Sequence, residues 1–223
     1  MKNLLLLLFL MCAFIVKAQH DHGHNEANKH MHHRPVKELI KGFEEEDRMK
    51  TQKPYEVIAL FGDLKGKTIL DIGAGSGYFS FKLVEKGAKV IAGDVNDEFQ
   101  EFIKNKMQEE HISADQMELR KLPFDSPALK DEEVEGVIIV NTYHHIDHRV
   151  DYFAQVRSGL KPGGMLMVVD FMKKNFEEKV HGPPVEMRIA SEVVMQELKK
   201  SGFERLELDD QLLPHQYIVK AWK

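Results

Sequence analysis

From about Val36 onward, apolar and polar positions follow two alternating rhythms. KTILDI (Lys67–Ile72), KVIAG (Lys89–Gly93), VEGVIIV (Val134–Val140) and MLMVVD (Met165–Asp170) are short continuous apolar runs, the pattern of strands buried on both faces. Between them apolar residues recur at helical spacing. Asp97–Glu110 carries Phe99, Phe102, Ile103 and Met107, and Arg149–Leu160 carries Val150, Phe153, Val156 and Leu160. Tyr78–Glu85 and Pro54–Gly62 are further helices, the latter with proline suited to its first turn. Ser191–Ser201 is another, closed by Gly202.

Strands alternating with helices predict a parallel sheet covered on both sides. Met117–Leu119 adds a short strand, and Lys161-Pro162-Gly163-Gly164 is a turn leading into MLMVVD. The last two strands, Arg205–Leu208 and Gln216–Trp222, stand too close for an intervening helix, so they form an antiparallel hairpin. The predicted class is α/β and doubly wound, a mostly parallel sheet ended by an antiparallel hairpin.

The first residues break this rhythm. Lys2 precedes an apolar run from Leu4 to Val16, too short to span a bilayer as a helix, followed by Val16-Lys17-Ala18. This predicts a signal peptide at 1–18 and export to the periplasm or the exterior, with no stable membrane span after cleavage. Residues 19–35, QHDHGHNEANKHMHHRP, have no hydrophobic period and hold His20, His22, His24, His30, His32 and His33. They form a His-rich tail, either a solvated linker or a loose, poorly selective binder of transition metals. Residues 36–223 form the folded domain.

Composition narrows the chemistry. The 223-residue chain has a net charge of −5, and losing Lys2 and Lys17 with the leader makes the rest more acidic. That argues against a nucleic-acid partner held through phosphates. Cys12, the only cysteine, lies in the leader, so the exported chain has no disulfide, thiolate nucleophile or thiolate metal site.

Two stretches carry candidate chemistry. Asp71-Ile72-Gly73-Ala74-Gly75-Ser76-Gly77-Tyr78 joins the first strand to its helix. Its glycines permit a sharp turn and close approach to a ligand. Tyr78 stands where a dinucleotide fingerprint needs a small residue, so a nucleoside without a pyrophosphate is favoured. Asp94 ends the second strand, where a carboxylate can accept both hydroxyls of a ribose. Asn141-Thr142-Tyr143-His144-His145-Ile146-Asp147-His148 follows the strongest buried strand. Its HHxxH lacks the glutamate of a zincin, and the passage from strand to helix separates His144 from His148, so no metal site is assigned. His148 is read as surface in the next helix's first turn.

LDIGAGSGYFS, Asp94 and LKPGG before MLMVVD together resemble class I S-adenosylmethionine-dependent methyltransferases, over roughly Arg48 to Trp222. RMKTQKPYEVI, NTYHHIDHRVDYF and LLPHQYIVKAW are similar to an exported bacterial subgroup of unknown substrate. The resemblance implies a seven-stranded sheet whose last strand is antiparallel, S-adenosylmethionine as cofactor and a small-molecule methyl acceptor. It implies that Asp71, Gly73, Ala74 and Gly75 meet the methionyl part, with Gly77 and Tyr78 completing the loop. It puts Asp94 and Val95 at the ribose, Lys121 and Leu122 near adenine, and Asn141 and Thr142 near the sulfonium. The adenine segment is shorter than in many relatives, and Asp125 takes that role or none. His144, His145 and Tyr143 are then the residues beside the transferable methyl, with one histidine of the pair structural. Arg48 and Gln52 either cover the cofactor or lie on a helix surface. His181-Gly182-Pro183-Pro184, His215 and Tyr217 either shape an acceptor pocket or pack the sheet edge. Cysteine-dependent arsenite methylation does not fit.

Export conflicts with a cofactor made in the cytoplasm. Three readings therefore stand: an exported methyltransferase, a non-catalytic binder of a nucleoside-like ligand on that fold, or an exported metal-handling protein. The intact glycine loop with Asp71 and Asp94 favours the first.

Overall fold

The computed structural model describes residues 34–178 and 180–223. The leader and the six tail histidines lie outside the described residues. Seven strands, β1 (Thr68–Ile72), β2 (Lys89–Asp94), β3 (Met117–Lys121), β4 (Val134–Val140), β5 (Leu160–Phe171), β6 (Arg205–Asp209) and β7 (Gln216–Trp222), form one sheet in the order β3-β2-β1-β4-β5-β7-β6. β1 to β5 run parallel, and β7 runs antiparallel to both neighbours. The expected hairpin and the expected order of strands and helices are both present.

Alternating residues of the central strands feed two cores. Ile69, Val90, Ile138, Met167 and Ile218 point to one face, under α3 (Pro54–Ala59), α4 (Tyr78–Glu85) and α5 (Asp97–Glu109). Leu70, Ile91, Val137, Ile139, Leu166 and Val219 point to the other, under α6 (Arg149–Gly159) and α7 (Ser191–Lys200). Both faces are therefore apolar, which explains why these strands read as unbroken runs. Because β2 lies on one side of β1 and β4 on the other, the winding reverses there. A crevice opens at the carboxyl ends of β1 and β4.

Two features differ from the sequence expectation. The LKPGG turn belongs to β5: Leu160 pairs with Val134 and Met165 with Gly136, so the intervening residues bulge out of register, with Gly163 at φ 75°. Two short helices, α1 (Val36–Phe43) and α2 (Asp47–Thr51), precede the core. α1 buries Val36 and Leu39 against Phe99, and its last residue, Phe43, stands 5.8 Å from the Phe99 ring. This amphipathic turn roofs the crevice.

The segment after β4 is anchored from below. Tyr143 is fully buried, stacks on Phe153 at 4.8 Å and donates its hydroxyl to Glu197 at 2.8 Å. Arg149 grips the same carboxylate through Nε at 2.7 Å and a terminal nitrogen at 2.9 Å. Glu197→Ala removes the acceptor of these bonds and is expected to lower stability by about 3 kcal/mol, measured as a shift in urea midpoint at constant m-value. A shift below about 0.5 kcal/mol would mean that this anchor is not needed.

Candidate functional site

At the carboxyl ends of β1, β2 and β4 lies a cavity of about 1050 Å³. That is at or above the usual ~300–1,000 Å³ of a single small-molecule site. Its floor is the glycine turn. Gly73, Gly75 and Gly77 all have positive φ. A Cβ on Gly73 would lie 2.5 Å from the Thr142 side chain, and one on Gly77 would lie 2.7 Å from the Phe81 ring. Side chains are thus excluded from above the turn by Thr142 and from beneath it by α4.

Asp94, at the end of β2, secures the turn. Its two oxygens accept from the backbone N–H groups of Gly75 and Asn96, each at 2.9 Å. Each oxygen keeps further acceptor capacity toward the cavity. Burial pushes the Asp94 carboxyl upward, and the donated backbone N–H groups of Gly75, Asn96 and Val95 oppose that shift. Asp71, at the end of β1, accepts from Ser80 Oγ at 2.7 Å. Burial raises its carboxyl to about 6; the Ser80 bond opposes this, while the negative charge of Asp94 adds to it. Two buried carboxylates against one cavity favour a ligand carrying positive charge.

The roof belongs to the segment before the core. Arg48 stands 4.1 Å over the Tyr78 ring, and its Nε donates to the buried Gln52 at 2.9 Å. Burial lowers the Arg48 guanidinium, while neighbouring Tyr78, Glu44 and Asp71 raise it. Phe43 closes over Gly75, 3.2 Å from where a Cβ on that glycine would stand.

The far wall is built by β4, β5 and β7. Asn141 has φ 54° and turns the chain sharply out of β4. Its side-chain oxygen accepts from Gln216 at 2.6 Å. His144, almost fully buried, places Nδ1 3.0 Å from the carboxylate of Asp170, which has no solvent exposure at all. His145 packs its ring 4.2 Å from that of His144. Beyond them lie Phe171, His181, Gly182, Pro183, Pro184 and His215. Arg188 ties this loop down by donating to the carbonyls of Pro183 at 2.8 Å and Lys174 at 2.9 Å.

Most of the sequence-expected residues meet at this cavity: Asp71, Gly73, Ala74, Gly75, Tyr78, Asp94, Val95, Leu122, Asn141, Thr142, His144 and His145 line it, as do Arg48 and Gln52. Three do not. Gly77 ends the loop as the residue that caps α4. Lys121 is exposed and pairs with Asp97 at 2.6 Å outside the cavity. Tyr143 corrects the expectation most clearly, since its hydroxyl is committed to Glu197 and its ring to Phe153. Three residues on a tight 3-10 turn, Tyr143–His145, project in different directions, and the first is the one driven into the core. Asp125 also lies off the cavity, whereas the exposed Phe124 lines it. Tyr217 is buried and donates to the carbonyl of Ile189. His148 is exposed, as expected, but lies one residue before α6 at φ 49°. Sequence reasoning missed Asp170; its signal was a carboxylate ending the otherwise apolar MLMVVD.

Known proteins resemble this chain in sequence and in fold. A family model described as a methyltransferase domain matches residues 69–164. The tRNA U34 carboxymethyltransferase of Pseudoalteromonas translucida is 30% identical over 126 residues, covering 54% of this chain and 37% of that protein. The cypemycin N-terminal methyltransferase of a Streptomyces species is 38% identical over 106 residues, covering 45% and 40%. The alignments thus span less than half the length of these curated relatives. A SAM dependent methyltransferase from Aquifex aeolicus superposes with a TM-score of 0.74 at 23% identity, covering 85% of this chain and 98% of that one, which shows a shared fold.

Gly73→Ala tests the floor directly. The strained φ and displacement of Thr142 are expected to cost about 1–2 kcal/mol of stability. Thermal unfolding measures it, and an unchanged midpoint would show that the turn does not need glycine there.

Proposed function

Starting from a methyltransferase domain at residues 69–164, set in the fold of S-adenosylmethionine-dependent methyltransferases, we propose that this chain binds S-adenosylmethionine in the crevice and transfers its methyl group to a small molecule. The observation that carries the reading is the Asp94 carboxylate, which holds the Gly75 amide at 2.9 Å beside a turn too tight for side chains. That carboxylate is placed to accept the two ribose hydroxyls, and its backbone donors favour the charged form against the effect of burial. Asp71 and the glycine turn supply acceptors and open backbone for the cationic methionyl end. Arg48, on the roof, suits the methionyl carboxylate, and Leu122 and Phe124 offer apolar surface to the base.

S-adenosylmethionine brings an activated sulfonium methyl, so the protein's task is to align an acceptor with it and exclude water. The far wall, from Asn141 to His145 and from Phe171 to Pro184, is the acceptor side in this reading. The apolar leader-like run at 4–16 supports delivery of the domain across the cytoplasmic membrane, and the acidic balance argues for a small acceptor over a nucleic acid.

Calorimetric titration of the purified protein with S-adenosylmethionine tests the proposal. Asp94→Asn is expected to weaken binding by about tenfold to a hundredfold, because hydrogen bonds to a charged acceptor are lost. Absence of saturable binding by the wild-type protein would refute the reading. The pH dependence follows from Asp71, raised to about 6. Above that pH the carboxylate is already ionised, and affinity is flat. Below it, the cation must displace a proton, so affinity falls by up to about tenfold per pH unit. Asp71→Asn is expected to bind weakly and to lose this slope; a slope that survives the substitution would show that another group titrates.

A further inference from the structure

Asn141 and Gln216 form an amide pair in the far wall of the cavity. Asn141 leaves β4 and Gln216 opens β7, and in the sheet order the end of β5 lies between them. The Gln216 side chain crosses that end and donates its Nε2 to Asn141 Oδ1 at 2.6 Å. The pair therefore lies over β5, two strands from β1 and its glycine turn. Both residues line the cavity, although Gln216 has only 2% of its surface exposed. The backbone fixes each in place. Gln216 is the register partner of Phe171, and Asn141 donates its N–H to the Val169 carbonyl at 2.8 Å.

An amide carries two N–H donors and a carbonyl with two lone pairs. The bond between the side chains engages one N–H of Gln216 and one lone pair of Asn141, and among the described residues neither side chain makes another hydrogen bond. The Asn141 amino group and the Gln216 carbonyl are left unused at the cavity wall. Turning both amides over exchanges the roles and leaves the same set, one amino group beside one carbonyl. Polar groups nearly closed off from water destabilise unless they are paired, so a ligand that pairs them gains affinity here.

Building on the methyltransferase reading, we propose that the Asn141–Gln216 pair is a recognition subsite for the methyl acceptor, and that it takes an uncharged planar amide, a carboxamide or a lactam edge. Such an edge sets an N–H beside a C=O. It answers the free carbonyl with a donor and the free amino group with an acceptor. A carboxylate only accepts and leaves the carbonyl of the pair unanswered; an ammonium only donates and leaves the amino group so. Neither finds in the pair a counter-charge to offset its lost hydration. A hydroxyl both donates and accepts, but through one atom, and is the closest competitor. The flanking wall fits the rest of such a molecule. Phe171 stands on the same side of the sheet as Gln216 and is joined by Pro183, Pro184 and Met187. A Cβ on Gly182 would lie 2.7 Å from the Phe171 ring, so the loop backbone packs directly on that ring. A flat apolar body attached to the amide meets apolar surface.

Four ligands of one size test the subsite: benzamide, benzoate, benzylamine and benzyl alcohol. Each is titrated at millimolar concentration, by NMR, into the full-length protein saturated with S-adenosylhomocysteine. Benzamide is expected to bind about fivefold more tightly than any of the others, the effect of one neutral hydrogen bond. Gln216→Leu keeps the bulk and removes the amide; it is expected to bring benzamide down to the level of the others while calorimetric affinity for S-adenosylhomocysteine is retained. Gln216→Glu keeps the shape and adds a charge, so the preference is expected to pass from benzamide to benzylamine, a cation at neutral pH. Mere loss of structure does not produce that reversal. If Gln216→Leu fails to fold, the wild-type ranking and Gln216→Glu decide. Any of the other three binding as tightly as benzamide, benzamide affinity unchanged in Gln216→Leu, or the wild-type ranking surviving in Gln216→Glu would each overturn the proposal. A protein that binds S-adenosylhomocysteine and none of the four overturns this inference alone. Failure to bind S-adenosylhomocysteine overturns it together with the reading on which it rests.

Discussion

A carboxylate nearly closed off from water, Asp94, holds the amide of Gly75 at 2.9 Å, and the crevice takes its shape from that contact. The bond ties the turn after β1 to the end of β2, so the two strands present one continuous floor. Gly73 and Ala74 reinforce it by donating to the carbonyl of Gly93 at 2.8 and 3.0 Å. Without these ties three residues at positive φ would have little reason to persist in one conformation. With them, the backbone is fixed where a ligand approaches, and the cost of ordering it is met by folding in advance of binding.

The opposite wall follows a different logic. The chain leaving β4 turns at Asn141, drives Tyr143 into the core and leaves the next residue facing the cavity. Tyr143 is therefore important without touching any ligand. Its bond to Glu197, shared with Arg149, locks the 3-10 turn that aims His144. Asp170 then completes the orientation from the neighbouring strand. One wall carries the glycine turn and the other the His144–Asp170 pair, and the central strands of one sheet support both.

Much of this was legible in the sequence because burial on both faces writes long apolar runs. β1, β2, β4 and the helices that cover them appeared close to their expected bounds, and the terminal hairpin followed from spacing alone. The glycine loop and Asp94 were legible for a related reason: few other sequences satisfy such a turn. What escaped were features set by three-dimensional neighbours. α1, though amphipathic, is only eight residues long and packs on Phe99, and α2 is five residues with Arg48 set over Tyr78. The LKPGG bulge is held by pairing to β4, which local turn chemistry does not reveal. Within YHH, sequence cannot say which ring faces inward, because that depends on Glu197 and Phe153, far along the chain or across a turn. Lys121 was misplaced for the same reason, drawn off to Asp97 on the surface.

Asp94 and the glycine turn are proposed to hold the ribose and amino-acid end of S-adenosylmethionine, and a crystal structure of the protein with S-adenosylhomocysteine decides it. Ribose hydroxyls are expected within about 2.6–3.0 Å of the two Asp94 oxygens, with the amino-acid end over Gly73 and Gly75 beneath Arg48. A ligand seated elsewhere, or one in this crevice whose ribose leaves Asp94 untouched, would contradict it.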